Sequence, residues 1–484
     1  MKNLKIILSL FIPDNQVLKH FFGIQKGIKL FRYSKIIASI LPLAFYSCEI
    51  IDSPIQIVDT STQYEETTDV ATGNPALKVA DFGQGTGTVT WKADKAIILE
   101  GFVYVNSGQT LTIESGTVIK GTTGQDTKAS ALIVARGGKI MATGTANKPI
   151  IFTALSDNLN GNLSSNDRGL WGGLIVLGSA RLNSAPGVSG IEGIPANEPR
   201  GVYGGSDDED NSGILKYISI RHGGTEIGEG NEINGFTLAG VGSATSINYI
   251  EIFANKDDGI EFFGGTAQLK YLVSAYCADD GIDYDEGYRG NIQFGLIYQD
   301  ENLAGHGGEH DGGTSPQDDT PFANPTLCNI TSIGSRLSGD RGILFKENAG
   351  GKYYNSLFHN YTDMISIELL QAGEHSFARL QAGDLEIKNN VFWQFPSQIA
   401  EISIGSGVTA TARLSAETFL ANYISTNNNQ LLDLGVSRSN VIPTPHNLVL
   451  SQVPNFFDQV DFVGAFDPNE PAWFEGWSKI GEEL

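Results

Sequence analysis

Asp257-Asp258-Gly259-Ile260-Glu261-Phe262 recurs 22 residues later as Asp279-Asp280-Gly281-Ile282-Asp283-Tyr284. The same register joins Ile247, Leu269 and Ile292, and the aromatic set Tyr249, Tyr271 and Phe294, at steps of 22 and 23. Two columns that repeat together identify a structural repeat, because a chance match of one hexapeptide would not carry its neighbours with it. Upstream, Leu215 and Tyr217 fit these columns 32 residues before Ile247 and Tyr249, if the Gly-rich segment Gly223 to Gly230 belongs to an insertion at a turn. The Asp-x-Gly-aliphatic corner returns as Asp167-Arg168-Gly169-Leu170 and Asp340-Arg341-Gly342-Ile343.

Short apolar segments fill the remaining register: Ala96 to Val105, Thr110 to Lys120, Ala131 to Val134, Pro149 to Thr153 and Leu174 to Leu177. Each has strand length, most are rich in Val, Ile or Thr, and Gly or Asn lies near their ends. A period near 22 residues with several short strands and no helix between them predicts a parallel β-helix. In that fold each coil lies about 4.8 Å above the last, and inward aliphatics and aromatics stack in columns. A leucine-rich repeat would need its Leu/Asn consensus, and a propeller about 40 residues per blade. Past Phe395 the repeat blurs. Residues 410–430 are expected to include a short helix, and the aromatic tail Phe456 to Trp477 to cover the final coil, since a bare end would expose a strand edge.

The composition agrees: 58 Gly, 3 Met and 18% charged residues in a chain of 484 describe a turn-rich β protein, not a helical bundle. The net charge of −23 sets the body against nucleic acid and anionic lipid. Cys48, Cys277 and Cys328 form no disulfide framework and show no metal-ligand spacing.

The front of the chain reads as an address. Lys26, Lys29, Arg32 and Lys35 precede an apolar run from Ile36 to Phe45 that is too short to span a bilayer, and Ser47-Cys48 closes it. The pattern is similar to a bacterial lipoprotein signal with Cys48 as the lipidated residue. Residues 1–47 are then the leader and 48–84 an acidic tether, followed by the β-helix at 85–400 and C-terminal coils and cap at 401–484.

Gly108 to Lys120, Ala131 to Ile140, Gly169-Leu170-Trp171-Gly172-Gly173-Leu174, Phe263-Gly264-Gly265-Thr266 and Phe462 to Phe466 with Trp473 and Gly476-Trp477 carry a family likeness. Over roughly residues 85 to 484 the chain resembles the right-handed parallel β-helix lipoproteins of Bacteroidetes-type bacteria. That resemblance implies the right hand of the helix and a place at the cell surface, on the outer membrane. It implies no particular activity.

The chemistry concentrates in Asp257, Asp258, Glu261, Asp279, Asp280, Asp283, Asp285 and Glu286. With Ile260, Phe262, Ile282 and Tyr284 inward, alternation turns Glu261 and Asp283 outward to solvent, one above the other, where like charges about 5 Å apart repel. Calcium, a cation such as Arg289, or a shared proton would neutralise them. Asp-Asp-Gly also reads simply as a corner, with Asp capping the turn and Gly at positive φ. Asp208-Glu209-Asp210 sets oxygen ligands at alternate positions before Gly213, as calcium loops do, although Ser219 stands where a bidentate Glu is expected. Glu261, Asp283, Asp285, Asp208 and Asp210 are the candidate calcium ligands.

If the protein is an enzyme, Glu261, Asp283, Asp280 and His306 are its candidate catalytic residues. A carboxylate pair at coil spacing suits a retaining glycosidase, and Arg289, Arg336, Arg341 or Lys346 would assist a hydrolase or lyase. The order Asp279-Asp280, Gly305-His306-Gly307, Arg341 and Lys346 is similar to that of polygalacturonase-like hydrolases, but their Asn-Thr-Asp is absent. Gly305 to Gly313 reads as a flexible excursion whose His306, Glu309, His310 and Asp311 offer a further metal set. No phosphate loop, dinucleotide fingerprint or nucleophile elbow occurs. The expected function is a surface scaffold that binds a polysaccharide or a partner protein, with a polysaccharide-active hydrolase or lyase as the alternative.

Overall fold

The computed structural model describes residues 63–125, 128–228, 231–313, 318–395 and 398–484. The leader, Cys48 and the first part of the expected tether lie outside them.

The body is a parallel β-helix. Two parallel sheets, one of eighteen strands and one of ten, run side by side, and successive coils contribute to both. In the short sheet the strands Phe236–Ala239, Ile260–Phe263, Ile282–Asp285 and Gly308–Asp311 follow one another in register. In the long sheet the strands Gly213–Arg221, Ser246–Phe253, Gln268–Ala275, Asn291–Tyr298 and Thr326–Ile333 do the same. Ile247, Leu269 and Ile292 are direct neighbours in a column that Leu215 and Leu327 extend, and all five are buried. Trp91 and Trp171 are core residues as well, at 2% and 0% exposure.

The long strands bend at one left-handed residue per coil: Tyr217, Tyr249, Tyr271, Phe294, Asn329, Asn355 and Asn389, all with φ between 51° and 65°. That bend turns the aromatic column outward, which corrects the expectation that it stacks inside. The outward rings are stacked, with centroids 4.3 Å apart for Tyr217 and Tyr249, 4.2 Å for Tyr249 and Tyr271, and 5.1 Å for Tyr271 and Phe294.

Both ends and one side are covered. Residues 64–80, expected as tether, form an antiparallel hairpin of Tyr64–Thr68 with Pro75–Ala80, and the second strand begins the parallel stack. At the other end helix α2 (Ala410–Thr426) follows helix α1 (Ser376–Ala382), and α2 buries Ala416, Leu420 and Ile424 against the last coils. The aromatic tail does not cover the final coil. It returns along the outer face of the long sheet as a strap, with Trp473 against Tyr271 at 5.3 Å and Trp477 against Tyr217 at 5.6 Å. The amides of Lys479 and Ile480 donate to the buried Glu251 carboxylate.

Candidate functional site: an acidic cleft on the short sheet

Glu261 and Asp283 are paired across adjacent strands, and Glu309 continues the ladder on the next coil. Alternation places all three on the outer face because their neighbours Ile260, Phe262, Ile282, Tyr284 and His310 fill the core. At the preceding corner, Asp257-Asp258 stacks with Asp279-Asp280, and the amide of Asp280 donates to Asp258 Oδ1 at 2.9 Å. The amide of His306 donates to Asp280 in the same way. Each of these second aspartates thus caps the corner of the following coil.

The corner glycines Gly259 and Gly281 are absent from the positive-φ residues, so the expected backbone role is corrected. Their role is close approach. A Cβ on Gly259 would lie 2.0 Å from Ser274 Oγ, and one on Gly281 would lie 2.4 Å from Ile297 Cγ2 and 2.9 Å from the Gly307 carbonyl oxygen. Asp340-Arg341-Gly342 belongs to the same stack, with the Gly307 amide donating to the Arg341 carbonyl. Gly169 differs, with φ +67°.

The ladder does not stand open to solvent as expected. The chain between strands Leu174–Leu177 and Gly213–Arg221 folds over the short sheet around a small core of Leu182, Ile191, Ile194 and Tyr203, and brings Glu192 to the cleft. The hairpin after Thr225 adds Glu232. Between them lies an open cleft of ≈ 280 Å³ whose other lining residues are Asn234, Asp257, Asp258, Glu261, Asp279, Asp280, Asp283 and Glu309. Glu261, Asp258 and Asp280 keep only 8%, 7% and 3% of their exposure.

Burial, then mutual repulsion, raises the proton affinity of Glu192, Asp257, Asp258, Glu261, Asp279, Asp280 and Asp283. Asp258, Glu261, Asp280 and Asp283 are pushed well above the usual carboxylate range, Glu192 to about 7 and Asp257 to about 6. Among the described residues, no Arg or Lys lines the cleft. Lys346 approaches its edge, with Nζ 2.5 Å from Glu309 and 3.4 Å from Asp311. Three groups of carboxylates have ligand oxygens within 4.8 Å of one another: Asp257, Asp258 and Asp279; Asp258, Glu261 and Asp283; Asp280, Asp283 and Glu309. Asp283 Oδ1 and Asn234 Oδ1 are buried there without a hydrogen-bond partner, although the Asn234 amide donates to Glu261.

Other candidate residues lie elsewhere. Asp208 is bound by Arg181 and Arg289, so the protein's own guanidinium groups occupy the oxygens expected to hold calcium, and Arg289 is drawn away from the ladder. Asp210 accepts hydrogen bonds from Ser179 and Ser212. Asp285 continues the strand beyond Asp283, paired with Phe263, and is not in the cavity lining. Glu286 accepts from the Tyr203 hydroxyl.

The expected excursion at Gly305 to Gly313 is instead a coil through residue 311, with Gly308–Asp311 a strand of the short sheet. His310 is a core residue stacked on Tyr284 at 4.0 Å and bonded to the Tyr353 hydroxyl, with its pKa lowered by burial to about 3. His306 stands beside the cleft, Nε2 3.7 Å from Glu309, and burial lowers its pKa.

Fold and site together define a parallel β-helix with a recessed carboxylate cleft on one sheet. Over residues 83–432 the sequence matches the pectate-lyase-like β-helix domain, and the chain belongs to that family. No curated protein and no solved structure matches it.

Proposed function

We propose that the acidic cleft holds divalent calcium and that the protein is a polysaccharide-binding scaffold, exported and anchored at the cell surface through lipid on Cys48. The observation that carries the reading is the set of three overlapping carboxylate triads with Asp283 Oδ1 buried and unpartnered. Carboxylates so crowded must either keep protons or share a cation, and an all-oxygen donor set is the one calcium prefers. A bound cation would also let a hydroxyl-rich or acidic chain approach a surface that otherwise repels anions. The family match supports a polysaccharide-related role, and a rigid sheet face suits a chain-like ligand.

Calcium titrated into metal-free protein should give saturable heat and stabilise the fold by about 2.7 kcal/mol at a hundredfold excess over Kd, read as a raised melting temperature. Asp283→Asn should weaken both effects. Absence of heat and of any melting shift would sink the calcium reading.

A second reading is hydrolysis by Glu261 and Asp283, favoured by their adjacent-coil pairing and raised proton affinity, which suits a general acid beside a nucleophile. If Glu261→Gln abolishes release of reducing sugar from an acidic polysaccharide without changing stability, hydrolysis replaces scaffold binding. For the anchor, Cys48→Ala should move the protein to the soluble fraction or leave an uncleaved precursor. A variant that stays in the membrane fraction at normal mature mass would refute lipidation.

A further inference from the structure

Lys346 ends the strand Arg341–Lys346, on the coil that follows the cleft's last carboxylate. It is the direct neighbour of Asp311 across the two strands, while Glu309 is the neighbour of Leu344, so the lysine reaches Glu309 diagonally. Its Nζ lies 2.5 Å from Glu309 Oε1 and 3.4 Å from Asp311 Oδ2, and 34% of the side chain is exposed. Burial opposes the ammonium charge, but Asp311, Glu309 and Asp283 outweigh burial and hold it protonated. Burial in turn raises the proton affinity of Asp279, Asp280 and Asp311, and the Lys346 charge opposes that rise. Among the described residues, no other lysine or arginine forms an ion pair with a member of the three carboxylate triads.

The triads are therefore unequal. Asp258, Glu261 and Asp283 hold no cation of the protein's own. Asn234, 2% exposed in the wall of the cleft, leaves its Oδ1 unpartnered because its amide nitrogen is turned to Glu261 and Glu192. A buried oxygen without a donor is one that a cation satisfies. In the triad of Asp280, Asp283 and Glu309, by contrast, one carboxylate is already held by an ammonium. Calcium and the lysine compete there for the same oxygens. Lysine is suited to give way, being a compact charge on a flexible stem with Asp311 in reach as a second partner. The exchange moves no proton: calcium takes Glu309, and Lys346 stays charged and turns to Asp311.

We propose that Lys346 is a built-in competitor of calcium, holding Glu309 until the metal displaces it and thereby setting the calcium affinity of the cleft. The inference rests on the calcium reading above and adds the residue that tunes it. A carboxylate held by the ammonium in about nine molecules of ten weakens the apparent affinity about tenfold. Lys256 supplies the control, because it pairs at 3.0 Å with Glu232, which lines the cleft but belongs to no triad. The full chain is freed of metal, calcium is titrated by calorimetry, and melting is followed in EDTA and at saturating calcium. Lys346→Met should bind calcium about tenfold more tightly than the parent or better, and Lys256→Met should stay within about threefold of it. In EDTA, Lys346→Met should melt below the parent, since Glu309 and Asp311 lose their cation, and calcium should close that gap. Lys346→Gln, which keeps a polar group beside both carboxylates, decides the matter if Lys346→Met does not fold. A parent protein that binds no calcium overturns both the calcium reading and this inference. Calcium binding by the parent with no gain in the folded Lys346 variants, or with a gain that Lys256→Met equals, overturns the inference alone.

Discussion

Leu269 shows how much one residue can report. Its side chain lies between Ile247 and Ile292 at 1% exposure, so Leu269→Asp would bury a carboxylate with no partner above or below. The expected loss is about 3–5 kcal/mol, read as a lowered denaturation midpoint. Gly281→Ala tests a different force. Its new methyl group would meet Ile297 and the Gly307 carbonyl, and the expected cost is about 1–3 kcal/mol of overpacking in chemical denaturation. An unchanged stability would show that the coils separate there without penalty. The inward column was legible because it obeys a period. The conformational reason for the glycine was not, since Asp-Asp-Gly has the same letters as a turn that needs positive φ, and only the neighbouring coil shows that space is what is scarce. Asp208 was misleading for a related reason: ligand-like spacing is local, whereas Arg181 and Arg289 reach it from other parts of the chain.

At the scale of elements, regular coils and irregular additions behave differently. The strands at Ala131–Val134 and Leu174–Leu177 lie where their β-branched and leucine-rich segments predict them. The coil at Gly308–Asp311 escaped notice because it follows its predecessor by 26 residues, not 22, and because His310 replaces an aromatic in the core. Gly308 makes that exchange possible, since a Cβ there would lie 2.6 Å from His310 Cε1. Glu192 and Glu232 could not be placed in the cleft from sequence, since each arrives on an insertion with no repeat to align. The strap is likewise aperiodic, and its partners lie as far as from Trp477 back to Tyr217 along the chain. Trp473 stacks on Phe466 at 5.7 Å and meets Tyr271 and Tyr249 edge-on. Trp473→Ala should therefore cost about 3 kcal/mol, measured by thermal or denaturant unfolding.

At the scale of the whole described body, the cleft makes stability depend on pH in an unusual direction. Carboxylates whose proton affinity is higher folded than unfolded contribute most below their unfolded values near 4 and lose that contribution as pH rises through the folded ones. Asp257 at about 6, Glu192 at about 7 and Asp311 at about 8 place the loss between pH 5 and pH 8. In chelator the melting temperature should fall across that window. With calcium the fall should shrink or reverse, because the cation replaces protons and binds better as they leave. Parallel curves with and without calcium would separate the cleft from any metal function. The net charge of −23 adds general repulsion in the same direction, so the Asp283→Asn variant is the control: it should flatten the part of the slope that belongs to the cleft.

The strap has one more consequence. Asn389 and Asn355 bond to Val449 and Ser451 of the strap, Asn329 to Phe462, whose ring also packs on Phe294, and the aromatic bends Tyr271, Tyr249 and Tyr217 receive Trp473 and Trp477. A stack of coils held only by nearest neighbours can fray one coil at a time from either end. A single segment fastened to seven successive bends changes that, because opening any one coil beneath it breaks contacts that the others help to hold. Amide hydrogens from Gly213 to Trp393 should therefore exchange as one cooperative unit, while the coils before Gly213, which the strap's fastenings do not reach, open on their own.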